Sequence, residues 1–185
     1  MLYMGTVSHS ADFEMIFPVL DKLAKKYMDS FRLTIMGVSN NTPERTWIKR
    51  VYQKRNGSIY PSFVRWFLKQ GPFDIGLSPL VDTAFNESKS DIKCLDYLAA
   101  GIVPVVSDLE PYKSAELDDY IIRVKNTSQA WEKTLDYLVS NTESFRADYD
   151  KKIQEAQLYI SSKRSSRNTS QQILKLVLNL AKRES

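Results

Sequence analysis

The sequence predicts an α/β fold, a doubly wound parallel sheet flanked by helices, with extra helices at the C-terminal end. Three observations carry this. Short apolar runs of strand length alternate with stretches whose apolar residues recur every three or four positions. Those helical stretches lie between successive strands, where a parallel sheet needs a crossover. At Gly101 a helix stop leads at once into the strand-like Val103 to Ser107.

The elements follow in order. Leu2 to Val7 reads as a buried strand, Ser8-His9-Ser10 as a turn, and about Asp12 to Met28 as an amphipathic helix with Phe13, Ile16, Phe17, Leu20, Leu23 and Ala24 on its apolar face. Pro18 removes one hydrogen bond of that helix and should kink it. Phe31 to Val38 is a second strand ending near Gly37, and Trp47 to Gln53 a third whose pairing the pattern leaves open. Tyr60 to Lys69 is a helix with Pro61 in its first turn, and Phe73 to Leu80 a buried strand. A polar loop from Val81 to Glu87 leads to a helix from Lys89 to Ala100. Tyr120 to Val124 closes the sheet, and helices near Ser128 to Ser140, Thr142 to Ser161 and Thr169 to Arg183 finish the chain. In such sheets ligands sit beyond the carboxyl ends of the strands, where strand order reverses.

Bulk properties narrow the function. The 185 residues, 43% of them apolar, suit one domain. The 26 basic and 22 acidic side chains give a net +4 in mixed-sign runs, a mild lean toward anionic ligands. The densest basic group, Lys49, Arg50, Lys54 and Arg55, reads as a solvated strand and turn, and no nucleic-acid partner is expected. Single Cys94 cannot form an intramolecular disulfide, so a cytoplasmic location is expected. No apolar run is long enough for a membrane span, and no signal-peptide layout opens the chain. Met1 to Gly5 reads as a core strand with no lead-in, which suggests a piece of something longer.

The stretch from Phe85 to Gly101 holds the chemistry. Ile92, Leu95, Leu98 and Ala99 share one helix face, while Lys89, Lys93, Asp96 and Ala100 form a polar stripe turned away from the core. Ser88 and Asp91 have the spacing of a reciprocal cap, which would place Lys89 and Ser90 in the first helical turn. A helix start with free amides and a lysine suits a diphosphate, and Asp96 suits a ribose diol. The same spacing also fits an ordinary capped surface helix with exposed ion pairs.

Several segments together resemble a known family: Asp74-Ile75-Gly76-Leu77-Ser78-Pro79-Leu80, Phe85-Asn86, Lys89-Ser90-Asp91-Ile92-Lys93, Leu95-Asp96-Tyr97 to Gly101, and Val103-Pro104-Val105-Val106-Ser107-Asp108. Their combination, with Met4-Gly5-Thr6 to Asp12, is similar to the Rossmann-like, donor-binding C-terminal domain of GT-B glycosyltransferases of the glycogen-synthase-like, group 1 superfamily. The resemblance covers roughly residues 1 to 125. It implies that residues 1–185 are the nucleotide-sugar-binding half of a two-domain enzyme whose N-terminal domain holds the acceptor, with peripheral membrane association open to the full-length enzyme. It implies no cofactor and no metal.

Two glutamates separated by seven residues flank this helix start in that family. Here Asp96 stands at the second position and Ser88 at the first, with Glu87 beside it. The resemblance therefore makes Glu87 and Lys89 the candidate catalytic residues. Gly5, Thr6, His9, Tyr60, Ser88, Ser90, Lys93 and Asp96 become candidates for the nucleotide and diphosphate. Where the family often has Arg and Lys after its first strand, this chain offers Thr6, Ser8 and His9. His9 is the one histidine, and it reads either as a turn residue or as a ligand contact. Tyr60 reads either as a base-stacking residue or as packing at a helix start.

Absences also discriminate. The sequence has no P-loop, no G-x-G-x-x-G after the first strand and no clustered Cys/His set. Asp148-Tyr149-Asp150 spells D-x-D, but it lies in a charged helical stretch and reads as a solvated face. The expected function is a glycosyltransferase donor domain; the alternatives are a non-catalytic nucleotide- or partner-binding module and a structural domain on the same scaffold.

Overall fold

The structure is a computed structural model that describes residues 1–37, 43–52 and 60–164. Its strands are β1 (Leu2–Gly5), β2 (Leu33–Gly37), β3 (Ile48–Val51), β4 (Ile75–Ser78), β5 (Val103–Ser107) and β6 (Ile122–Val124). They form one all-parallel sheet in the order β3-β2-β1-β4-β5-β6. The pairing of the third strand is thereby settled: it runs along β2, with Leu33 opposite Ile48 and Met36 opposite Val51. Order reverses between β1 and β4, the first strands of the two halves.

The helices are α1 (Ser10–Tyr27), α2 (Tyr60–Phe67), α3 (Ala84–Glu87), α4 (Ile92–Ala99), α5 (Ser128–Ser140) and α6 (Thr142–Lys163). Helix α1 continues through Pro18 as one element. Strand β1 stops short of Val7 because the His9 amide bonds to the Thr6 carbonyl and tightens residues Val7–His9 into a 3-10 turn. Strand β2 starts at Leu33 because Met28, at φ 44°, turns the chain, and the Phe31 amide bonds back to its carbonyl.

The region before α4 departs from expectation. The loop predicted over residues 81–87 contains α3, capped by Thr83, whose side chain accepts from the Asn86 amide. The predicted Ser88 and Asp91 cap does not form. Ser88 Oγ donates to the Ala84 carbonyl, and Asp91 makes no side-chain cap bond because its carboxylate takes Arg164 at 2.8 and 2.9 Å. Lys89 and Ser90 therefore precede α4 instead of opening it. Ile92, assigned to the apolar face, is exposed, and Cys94, Leu95, Tyr97 and Leu98 are the buried residues.

Alternation along the strands divides the core. Tyr3, Leu33, Ile35, Ile75, Leu77, Val103, Val105 and Val124 point to one face, where α1, α5 and part of α6 bury them in a single cluster around Leu20, Leu23, Trp131 and Leu135. On the other face are two smaller clusters. Leu2, Met4 and Met36 pack with Phe67, Tyr97 and Ile102, while Val106 packs with Leu80, Leu95, Leu98 and Tyr112.

Two glycines are sterically required. At Gly37, φ is +74° and an added Cβ would lie 2.1 Å from the Gly5 carbonyl oxygen. At Gly76, an added Cβ would lie 2.6 Å from the ring of Tyr97, which packs flat against the backbone there.

Helix α5 is held to α1 by Lys26 Nζ and Tyr27 Oη, which donate to Asp136 Oδ1 at 2.6 and 2.8 Å. Helix α6 reaches α4's end through Arg146, which donates to the Gly101 carbonyl at 3.1 Å. The predicted helix over residues 169–183 lies outside the described residues, as do Lys54 and Arg55. No described helix is long and apolar enough to cross a membrane.

Candidate functional site

A cavity of about 430 Å³ opens at the carboxyl ends of β1, β2 and β3. The strand ends supply Met4-Gly5-Thr6, Met36-Gly37 and Val51-Tyr52; α2 supplies Phe63 and Trp66, and α4 supplies Lys93 and Asp96. His9, after β1, completes it. The lining is therefore aromatic and apolar on the α2 side and charged on the α4 side. Its place beside the β1/β4 reversal is where the topology puts a ligand.

Lys93 is the most unusual member. Its Nζ is buried with no hydrogen-bond partner among the described residues and lies 5.8 Å from the centroid of the Tyr3 ring. Burial, reinforced by Lys89, brings its ammonium down to about 8 from the usual 10.5. A buried donor left unsatisfied costs roughly 1 to 3 kcal/mol, and more when charged.

Beside it lies a buried carboxylate with every oxygen engaged. Asp12 Oδ1 accepts from the Val81 amide at 2.7 Å and from Asn86 Nδ2 at 2.8 Å. Asp12 Oδ2 accepts from His9 Nδ1 at 2.7 Å and from Lys89 Nζ at 3.4 Å. Burial alone would raise this carboxyl; the bonds from His9, Val81 and Asn86 and the charge of Lys89 overcome it and hold the group down at about 2. Tyr3 Oη donates to the His9 carbonyl at 3.0 Å, fixing the loop from below.

The predicted residues divide into three groups. Gly5, Thr6, His9, Lys93 and Asp96 meet at the cavity, and Lys89 adjoins it through Asp12 and His9. Glu87, Ser88 and Ser90 are exposed and do not line it. Tyr60 opens α2, but its side chain lies outside the described residues. The polar stripe of α4 is not a solvated face: Lys93 is turned inward, and Lys89 pairs with Asp12. Asp148 and Asp150 are exposed on α6, with Asp150 paired to Arg146 at 3.2 Å. Among the described residues no three His, Cys, Asp or Glu side chains gather in a metal-binding group.

Sequence reasoning missed Asp12 as the centre of this arrangement. The local signal was an aspartate three residues after the lone histidine, which reads equally well as a residue of a helix's first turn.

No protein-family model and no curated protein matches the sequence. Solved structures do match by shape. The C-terminal domain of the glycosyl transferase group 1 family protein LpcC from Francisella tularensis superposes with a TM-score of 0.59 at 13% identity, over 89% of this chain and 86% of that one. The E. coli trehalose-phosphate synthase bound with UDP-2-fluoro glucose gives 0.63 at 15%, and TarM 0.61 at 12%. All three are GT-B glycosyltransferases. The chain has the fold of a GT-B domain. It covers 43% and 34% of the second and third proteins, so it spans less than half their length. Within this GT-B fold the cavity occupies the crevice beyond the strand ends, with β1, β2, α2 and α4 around it.

Proposed function

We propose that the chain is the donor side of a glycosyltransferase and that the cavity takes a nucleoside-diphosphate sugar. The observation that carries this is Lys93, a buried ammonium with no hydrogen-bond partner among the described residues, with Lys89 held near it. An anion with several acceptor oxygens supplies the acceptor Lys93 lacks and a further one for Lys89. Asp96 stands on the same helix face for the ribose hydroxyls, and Phe63 and Trp66 offer a flat apolar wall to the base. Transfer breaks the bond from the anomeric carbon to the diphosphate oxygen, and negative charge builds on the leaving nucleotide. In this reading Lys89 and Lys93 supply the fixed positive charge that stabilises it, without a metal.

The fold adds support, since one protein of the same shape carries UDP-2-fluoro glucose. The same reading places the acceptor on an N-terminal domain of a longer cytoplasmic enzyme, with membrane association confined to that enzyme's periphery. Alone, the described domain binds the donor and barely transfers. A second reading, a non-catalytic nucleotide-binding module, is favoured by one observation: Glu87, the acid nearest the expected sugar-contacting position, is exposed and outside the cavity lining.

Thermal shift with UDP, GDP, ADP, TDP and CMP tests the reading. One diphosphate at about 100 times its dissociation constant should add about 2.7 kcal/mol. Lys93→Ala and Asp96→Ala should abolish that gain. No shift with any nucleotide, in folded protein, would overturn the donor site. Transfer by the longer protein that survives Lys89→Ala undiminished would leave binding intact and sink the catalytic role.

A further inference from the structure

Asp12 does not line the cavity, yet it controls two groups that address it. An ionised carboxylate only accepts hydrogen bonds, so His9 Nδ1, at 2.7 Å from Oδ2, must carry a hydrogen. Lys89 Nζ lies 3.2 Å from that same nitrogen, and an ammonium only donates. The two are thus a pair of donors drawn together by one shared oxygen. With Nδ1 turned to Asp12, the Cδ2–Nε2 edge of the ring is turned the other way. Cδ2 lies 3.3 Å from where a Cβ on Gly5 would be, and Gly5 and His9 both line the cavity.

We infer that Asp12 is a positioning residue: its carboxylate fixes the proton of His9 on Nδ1, so that Nε2 faces the cavity, and pins Lys89 beside the ring for a polyphosphate ligand. For its ligand this rests on the donor-site reading. The chain path at His9 is held independently, by Tyr3 Oη on its carbonyl and by the bond from its amide to Thr6. What Asp12 sets is therefore ring orientation and proton placement. Nε2, left with its lone pair, accepts from a ligand hydroxyl while the neighbouring ammonium of Lys89 takes a phosphate oxygen.

His9 is the only histidine in the sequence, so a long-range ¹H–¹⁵N spectrum reports this one ring. In the native protein at neutral pH, Nδ1 should be protonated. In Asp12→Asn, the amide oxygen stays with Val81 N and Asn86 Nδ2, which turns the NH₂ group toward the ring. His9 must then accept at Nδ1, and the spectrum should switch to the Nε2–H tautomer, as carboxylate-to-amide replacement does beside a catalytic histidine. Inorganic pyrophosphate, a probe indifferent to the base, should bind about tenfold more weakly or worse to Asp12→Asn, the loss that corresponds to one charged contact. Lys89→Met should weaken pyrophosphate binding and leave Nδ1 protonated.

An unprotonated Nδ1 in the native protein overturns the inference, and that spectrum decides even where Asp12→Asn does not fold. So does an Asp12→Asn protein with unchanged tautomer and unchanged pyrophosphate affinity. A tautomer switch without pyrophosphate binding in the native protein counts against the donor site and supports Asp12's hold on His9.

Discussion

The two faces of the sheet solve the same packing problem differently. On the α1 and α5 face, inward side chains of five strands enter one continuous apolar cluster. On the α2 and α4 face, the apolar residues divide into two clusters, and a cavity opens at the strand ends above one of them. The closed face needs only shape complementarity. The open face carries Lys93, whose buried ammonium has no hydrogen-bond partner among the described residues. One side of the sheet is given over to packing while the other carries the cavity wall with Lys93 and Asp96, and substitutions should separate the two.

The largest stability effect belongs to the closed face. Leu20→Ala, at a fully buried position, should lower the unfolding free energy by about 3 kcal/mol in urea denaturation. Trp66→Ala on the open face should cost under about 1.5 kcal/mol, because its ring is already partly in water, while weakening diphosphate binding. Equal costs at the two sites would erase the distinction.

Lys93→Met should act in the opposite direction. It should raise the stability of the free protein by about 1 to 3 kcal/mol by removing a buried charge that has no hydrogen bond among the described residues, and abolish diphosphate binding. The pH dependence sharpens this. The unfolded chain keeps the Lys93 proton up to about 10.5, whereas the folded protein releases it at about 8, so native stability should rise between those values. Lys93→Met should lack that rise. Diphosphate affinity, which needs the ammonium, should fall as pH rises through 8 in calorimetric titrations. The smallest effect is expected far from both faces: Asp150→Ala, which breaks an exposed pair on α6, should change stability by less than about 0.5 kcal/mol and leave affinity unchanged.

Where local signals governed, the sequence was legible. Strand β5 and helix α5 occupy their predicted bounds because Gly101, at φ +76°, ends one helix and Thr127 caps the other. The alternation of elements was enough for a parallel sheet, though not for its strand order. The start of α4 was misread because Ser88 and Asp91 have capping spacing, while Asp91 is claimed by Arg164, 73 residues away. Asp12 was invisible as a hub for the same reason, since Val81, Asn86 and Lys89 lie 69, 74 and 77 residues further along the chain. Periodicity placed Lys93 and Asp96 on one stripe but turned that stripe away from the core, whereas Lys93 Nζ is buried.

Tyr97 bears on how the cavity behaves when filled. Its hydroxyl accepts from the Met4 amide at 3.2 Å and donates to the Leu77 carbonyl at 3.1 Å, so a side chain of α4 stitches β1 to β4 at the centre of the sheet. With its ring lying on Gly76, the helix that carries Lys93 and Asp96 cannot rotate or slide without parting two buried bonds. The charged wall is accordingly stationary, ordered when the protein folds rather than when a ligand arrives. A ligand bound there would order side-chain tips on that wall without moving α4.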